Sequence, residues 1–539
     1  MTMNLYKVND TYFDKVFKDS NIDEAKGRVL LVDKFTMSII SICYSQSQLL
    51  SQDIILIDLI ENFHQLDQMK HLNCIVYIKP VTDSIEFLTK ELQAPHFHDY
   101  KVYFNNIINK NQLERIAESD KFEVVSNIVE LFQDYLVINA NLFTITSTSI
   151  IDETNKLVSL LLSIKKFPII QYENNSLSLK KLSSEILYQI NSNLNNNLFE
   201  NLNYDTVPVL LLFDRFNDPI TPLINPWTYQ AMIHELIGIN KNIVEINGEK
   251  ILLDDQSDDF LSQSLYLNYG DLTELFQTKV EKFKKESNAN VKTSNLVELK
   301  KILTRLPDFK KKSSNIMKHL NVLTELDAQI SKQNLWEISE LQQTIICNLD
   351  TKINVENSLI RILSNDSVSM NHKIKLILLY SIRFSGDHIG RFVSLLNEPS
   401  LVQLKLLNNF SKSFSSKIKH PKQEEENNFK KFFKNFSNTN EIDNIFLQYN
   451  PPLKDFLNDF LLLRADGNGH GLNTLVPDTL KESNIVQDVI IYFKNGVTYE
   501  EAKIVRDFND TNRRFNLIIG SDKIINSNEW LEELYDFIN

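Results

Sequence analysis

Residues 207–236 read VPVLLLFDRFNDPITPLINPWTYQAMIHEL. The first eight are apolar up to a closing aspartate, as in a strand buried on both faces of a parallel sheet. Pro219, Pro222 and Pro226 follow within eight residues. Each fixes φ and removes an N–H donor, so the chain must leave the sheet through a rigid turn. Residues 228–236 then carry helical spacing and stop near Gly238. Strand, rigid turn and helix together indicate an α/β fold. Asp214, Arg215 and Asp218 cluster where that strand ends. Such a set is either a catalytic edge, because open α/β sheets place ligands at strand C-termini, or a salt-bridged turn that fixes a domain corner. The sequence leaves both readings open.

Further strands lie upstream. Residues 28–33 (RVLLVD), 52–58 (QDIILID) and 74–78 (CIVYI, closed by Lys79-Pro80) are apolar runs, and 81–92 is helical. They predict a parallel sheet within residues 1–140. A second α/β region begins near Leu142. It takes in 207–214 and resumes far downstream at 488–493 (DVIIYF) and 515–520 (FNLIIG), with a helix over 499–509 between them. The intervening stretch, 252–478, is mostly helical in pattern. Residues 291–306 and 313–326 form a candidate helical hairpin around Pro307, followed by helices over 335–349 and 373–382. Residues 412–440 are rich in Lys, Asn and Ser and read as a loop or weak helix. No short-period repeat occurs. The expectation is a mixed α/β and α protein in three domains: 1–140, then 141–250 with 479–539, then a mainly helical 251–478.

Composition narrows the function. At 539 residues the chain is long enough for several cores. Its apolar fraction of 42% suits a folded protein. A net charge of −13 argues against a general nucleic-acid binder. The three cysteines, Cys43, Cys74 and Cys347, are few and scattered, which fits a reducing compartment. No signal peptide is evident at the N-terminus, and no apolar run reaches the roughly 18 residues needed to span a bilayer. There are 11 glycines, few for a nucleotide-binding enzyme.

Motifs for catalysis or metal binding are weak. His96 and His98 have no partner ligands at metal spacing and read as a solvated loop after Pro95. The glycine-rich 467–471 lacks a phosphate-loop pattern, and no GxSxG elbow occurs. Asp254, Asp255, Asp258 and Asp259 lack the glycine and closing glutamate of a calcium loop. No cofactor and no metal are expected.

The pairing of DRFNDPITPL (214–223) with WTYQAMIHEL (227–236) resembles the SM family, the Sec/Munc-like proteins that bind syntaxins. Residues 29–41 (VLLVDKFTMSIIS), 376–387 (LILLYSIRFSGD) and 488–502 (DVIIYFKNGVTYEEA) agree with it, although Lys494-Asn495-Gly496 stands where the family usually has a double glycine. The resemblance covers nearly the whole chain. It implies a three-domain arch whose second domain is split around the helical third. It further implies no catalytic chemistry and a role in guiding SNARE assembly for membrane fusion. The partners would be a syntaxin-type SNARE, through its N-terminal peptide and its core, and the assembled SNARE complex. Membrane contact would come only through those partners, and nucleic acid has no part. Residues 112–120, 229–236 and 266–275 point to the branch that serves Golgi, endosome and vacuole. One alternative is an SM-like subunit of a multi-subunit tethering complex. A remote one is an α/β enzyme using Asp214, Arg215 and Asp218.

Three sets of site residues follow. Leu113, Ile116 and Ala117 share a helical face by their i, i+3, i+4 spacing. Ile128, Val129 and Phe132 read as a matching stripe on the next helix. The resemblance implies that both line a pocket for the syntaxin N-terminal peptide; spacing alone equally suits a domain core. Asp33 and Met37 follow the first strand, and the resemblance places them toward the SNARE core, though Asp33 equally suits an internal pair. Pro307 should bend the chain. The resemblance makes the surrounding hairpin a switch, with Leu299, Leu303 and Leu306 on one side, Leu320, Leu323 and Leu326 on the other, and Lys310, Lys311 and Lys312 at the turn.

Overall fold

A computed structural model describes residues 3–18, 27–194, 206–286, 314–384, 389–414, 444–463, 471–477 and 486–538. Contacts divide the chain into two compact units. One comprises 1–214, 458–497 and 504–523, the other 215–457, 498–503 and 524–539.

The first unit holds two sheets. In one, β1 (Arg28–Val32), β2 (Ile54–Leu59), β3 (Met69–Ile78), β4 (Phe97–Phe104) and β5 (Val125–Glu130) run parallel in the order β2-β1-β3-β4-β5. β1 is buried along its whole length, as its unbroken apolar run requires. Alternate residues serve opposite faces. Leu30, Val32, Ile75 and Tyr77 join a large core with the N-terminal helix Leu5–Phe17. Val29, Leu31, Cys74 and Val76 pack with Ile85, Leu88 and Leu92 of the helix Thr82–Gln93 and with Ile116.

The second sheet adds β6 (Leu136–Val137), β7 (Leu142–Thr144), β8 (Ile169–Glu173), β9 (Val209–Asp214), β12 (Leu472–Leu475), β13 (Asp488–Lys494) and β14 (Asn516–Ser521). Its order is β12-β8-β9-β13-β14-β7-β6, parallel except for the outermost pairs β12–β8 and β7–β6. The decisive strand of the sequence, β9, is therefore central, and it lies against β13, nearly 280 residues downstream. A split α/β domain is what the two distant apolar runs required. The Lys166 ammonium meets the Asp488 carboxylate at 2.5 Å across this sheet.

The second unit is mainly helical. It begins with the proline corner, where the Trp530 indole donates to the Pro219 carbonyl at 3.0 Å. The helix Tyr229–Leu236 ends at Gly238, whose φ of +100° suits glycine. A hairpin follows: β10 (Ile243–Ile246) and β11 (Glu249–Leu252) join through Asn247-Gly248, both at positive φ. Asn-Gly is a strong two-residue hairpin signal, here inside a stretch otherwise of helical pattern. Helices Ser314–Lys332, Leu335–Ile346, Lys352–Leu363 and Met370–Arg383 follow. Residues 415–440 of the expected loop lie outside the described residues, whereas Lys412 belongs to the helix Leu401–Phe414.

Two tests follow from this packing. A Cβ added at Gly520 would collide with the Phe143 ring on the neighbouring strand. Gly520→Ala should destabilise the first unit by about 1–3 kcal/mol through overpacking. Adding Phe143→Leu should recover part of that loss in thermal denaturation. In the second unit, His372 donates through Nε2 to Gln333 at 2.9 Å, and burial, then nearby Lys375, depresses its pKa to about 2. The unfolded chain protonates this histidine near pH 6.5, but the folded one does not. Stability should therefore fall as pH drops below 6.5, by up to about 1.4 kcal/mol per unit from this group. Urea midpoints from pH 7 to 5 should show a shallower loss in His372→Gln.

Candidate partner-binding site

Asp33 closes β1. Its Oδ1 accepts from Phe35 N at 2.9 Å, Thr36 N at 2.8 Å and Thr36 Oγ1 at 3.0 Å. Its Oδ2 accepts from Lys79 N and Ser84 Oγ, both at 2.7 Å. The residue has no exposed surface. A carboxylate with five internal donors is a framework group, one that locks β1, the end of β3 and the helix Thr82–Gln93 together. The expectation that Asp33 faces a partner is thus corrected: burial and saturated lone pairs leave it nothing to offer. Met37 is half-buried on the first core.

This corner exposes a different residue, one that sequence pattern does not single out. Phe35 is 41% accessible. The Lys34 and Lys79 ammonium groups lie 5.3 and 5.6 Å from its ring centroid. Such a cation over an aromatic face is favourable. Lys79 in turn pairs with Asp134 at 3.0 Å and Asp152 at 3.1 Å. Burial pulls the Lys79 ammonium down, but those two carboxylates more than offset it and hold its pKa above the ordinary lysine value. The signal available in the sequence was an aromatic set between a lysine and a helix start, immediately after the aspartate that ends a buried strand.

The peptide-pocket residues divide. Leu113, Ile116 and Ala117 do lie on one helix, Lys110–Ser119, opened by a capping box between Asn109 and Gln112. Ile116 is buried, Leu113 half-buried and Ala117 exposed. The expected second helix is instead β5, a correction with a simple cause: its β-branched residues pair in parallel with β4. A strand alternates faces, so Ile128 and Val129 point opposite ways. Ile128, opposite Val102, lies on the sheet face that packs with Ile116 and remains 37% exposed. Val129 and Phe132 pack on the other side, against the core of the N-terminal helix. Leu113 packs beside Ile116 in the core of the helix Thr82–Gln93, whereas Val129 and Phe132 lie on the other face of the sheet. Phe122, on the loop between the helix and β5, is also exposed.

Of the hairpin, Pro307, Leu299, Leu303, Leu306, Lys310, Lys311 and Lys312 lie outside the described residues. Leu320, Leu323 and Leu326 are buried in a core with Tyr229, Phe260 and Phe276. As they stand they serve that core and are not offered to a partner. Asp258 in the acidic run caps the helix Asp259–Ser264 through Phe260 N and Leu261 N and meets His319 Nε2 at 3.0 Å. His319 also meets the Tyr229 hydroxyl at 2.7 Å. Burial pushes the His319 pKa down despite that carboxylate. His96 meets buried Glu91 at 2.9 Å, and Phe97 between the two histidines starts β4 rather than a loop.

Arg215, entirely buried, resolves the choice left open at the β9 terminus. Its guanidinium holds Glu501 through two contacts of 2.6 Å and Asp218 at 3.0 Å. Asp218 also accepts from Thr221 N at 3.2 Å. Asp214 accepts from Ser176 at 2.6 Å and Asn495 at 3.1 Å. The charges are consumed in a salt-bridged turn.

The chain matches the Sec1 family over residues 28–533, and it belongs to that family. It is 34% identical to vacuolar protein sorting-associated protein 45 of Saccharomyces cerevisiae, across 99% of both chains. It is 30% identical to the human protein of that name, across 99% of this chain and 96% of the other. Among solved structures it is similar to the SM protein Vps45 in complex with the Qa SNARE Tlg2, with a TM-score of 0.84, 29% identity and coverage of 100% and 98%. The Unc18–syntaxin 1 complex of Monosiga brevicollis, at 15% identity and a TM-score of 0.80 with both chains fully covered, shares the fold.

The Asp33 corner gives a direct test. Asp33→Asn replaces an acceptor with a donor facing donors already in place, and should destabilise the protein by about 2–3 kcal/mol. Met37→Val, a half-buried apolar exchange, should leave the melting temperature nearly unchanged. Differential scanning calorimetry of the two variants separates a framework role from a surface one.

Proposed function

We propose that the chain binds a syntaxin-type Qa SNARE and promotes SNARE-complex assembly for vesicle fusion in Golgi, endosomal and vacuolar traffic. One observation carries this reading. The chain spans the whole of Vps45 solved with Tlg2, at a TM-score of 0.84. Among the described residues no helix is long and apolar enough to cross a membrane. In this reading residues 1–140, 141–250 with 479–539, and 251–478 act as domains 1, 2 and 3.

The SNARE N-terminal peptide sits, in this proposal, on the patch of Leu113, Ala117 and Ile128, with Ile116 beneath it. Leu113 and Ala117 stand one helical turn apart on the same face, and exposed apolar side chains beside a half-buried one favour an apolar anchor. The SNARE core meets the Phe35 and Met37 corner. Leu113→Arg puts a charge on the first patch. Peptide affinity measured by calorimetry should fall more than tenfold, with the melting temperature within 2 °C of wild type on the order expected for a surface substitution. Unchanged peptide affinity in a folded Leu113→Arg protein would remove this assignment.

A further inference from the structure

The second unit carries an aromatic cluster that its core leaves partly open. The indoles of Trp227 and Trp336 stack with centroids 4.3 Å apart and planes 20° from parallel. Phe446 meets both rings, at 5.0 and 5.1 Å. Tyr269 also meets both, at 6.3 and 5.8 Å, and its hydroxyl donates to Asp327. Trp227 is buried in this stack, whereas Trp336 is 42% exposed and Leu447, next to Phe446, is 40% exposed. The Trp227 indole N–H is buried without an acceptor. The Trp336 indole N–H donates to no described residue. Glu340 stands one turn from Trp336 on the exposed side of the helix Leu335–Ile346. Its carboxylate has no partner among the described residues. Glu337, between them, is already held by Arg361 at 2.6 Å and by Asn334 at 2.6 Å.

We propose that Trp336, Phe446, Leu447 and Glu340 form a docking surface for a proline-rich segment of a partner protein that carries an arginine. This surface belongs to the second unit, whereas the residues assigned above to the SNARE belong to the first. Charge is the first argument. Glu340 is an exposed carboxylate without a cation, one turn from an open aromatic face. A guanidinium suits both, because it stacks on an indole and pairs with a carboxylate. Hydrogen bonding is the second. A polyproline II segment makes no internal hydrogen bonds, so its carbonyls are free to accept from the Trp336 indole. A docked α-helix has its carbonyls already bonded and would leave that donor without an acceptor. Preorganisation is the third. The Trp227 stack and the Phe446 and Tyr269 contacts hold the Trp336 ring in place, so docking immobilises little. Aromatic surfaces of this kind are what polyproline II segments dock on.

The test uses the full chain, in which Trp336 is the one exposed tryptophan of three; Trp227 is 4% and Trp530 0% exposed. The probes are two blocked ten-residue peptides, one of proline alone and one with a single arginine among its prolines. The arginine peptide should shift the tryptophan emission to the blue and protect it from acrylamide quenching. By calorimetry, Trp336→Ala should weaken that peptide about tenfold or more. Glu340→Gln should weaken it about threefold and leave the all-proline peptide unchanged. Glu340→Lys should abolish the preference for arginine with the melting temperature within about 2 °C of wild type. That variant reads the surface even where Trp336→Ala fails to fold. No binding of either peptide to wild type, or equal affinity of the arginine peptide for wild type and both Glu340 variants, would overturn the proposal. An emission shift that follows protein concentration without peptide would assign the surface to a second copy of this chain and overturn it as well.

Discussion

A guanidinium with no solvent contact, Arg215, joins parts of the chain 286 positions apart. On one side it gathers Asp218 and the proline corner, and on the other Glu501 at the start of the helix Tyr499–Thr511. Burial alone lowers the pKa of such a group; here Glu501 and Asp218 reverse the effect and hold it above the ordinary arginine value. A buried ion pair of this kind adds little net stability over a well-packed apolar substitute, because desolvation offsets the attraction. Its value is directional. Nη2 meets both oxygens of the Glu501 carboxylate at 2.6 Å while Nη1 holds Asp218, and Thr498 N donates to the Glu501 carboxylate at 3.0 Å. The long insertion between β9 and β13 therefore leaves and returns at defined places, and a split domain can form without misregistering its halves.

The central strands were legible where each is an apolar run buried on both faces: β1, β9, β13 and β14 match residues predicted from pattern alone, and β3 matches over 74–78 but begins earlier, at Met69. Among the peripheral ones, β2 was legible as the run 52–58, but β6, β7 and β12 were not. β6 spans two residues and β7 three, too short for any periodicity to register. β12 is exposed along its middle and sits inside a stretch of helical composition. β5 misled for a more specific reason. Ile128, Val129 and Phe132 satisfy an i, i+1, i+4 helical count, yet the same segment is rich in β-branched residues and offers β4 an open edge. Tertiary pairing then decided what local spacing left ambiguous.

The candidate surface was half legible for a related reason. Sequence spacing identifies apolar residues that lie along one helix, as Leu113, Ile116 and Ala117 do. It does not tell a face that meets the core from one that meets solvent. Leu320 and Leu323 show the first outcome and Ala117 the second. Asp33 attracted notice because a carboxylate after a buried strand is conspicuous, and the same position is where a chain most needs a cap for the next helix. Phe35 escaped because a lone aromatic near a helix start is unremarkable until its exposure is known.

These outcomes share a physical logic. Asp33, Asp214, Arg215, Asp218, Asp258 and Glu501 are the groups whose chemistry invites a catalytic reading, and each is engaged by internal donors or an opposite charge. A general base or nucleophile needs a lone pair aimed at a reacting atom, and such saturation removes it. What the molecule presents at its strand termini is the opposite kind of group: Phe35, Ile107 and Ile151, apolar and exposed. Hydrogen-bonded polar corners of this kind hold the backbone beside them in one arrangement.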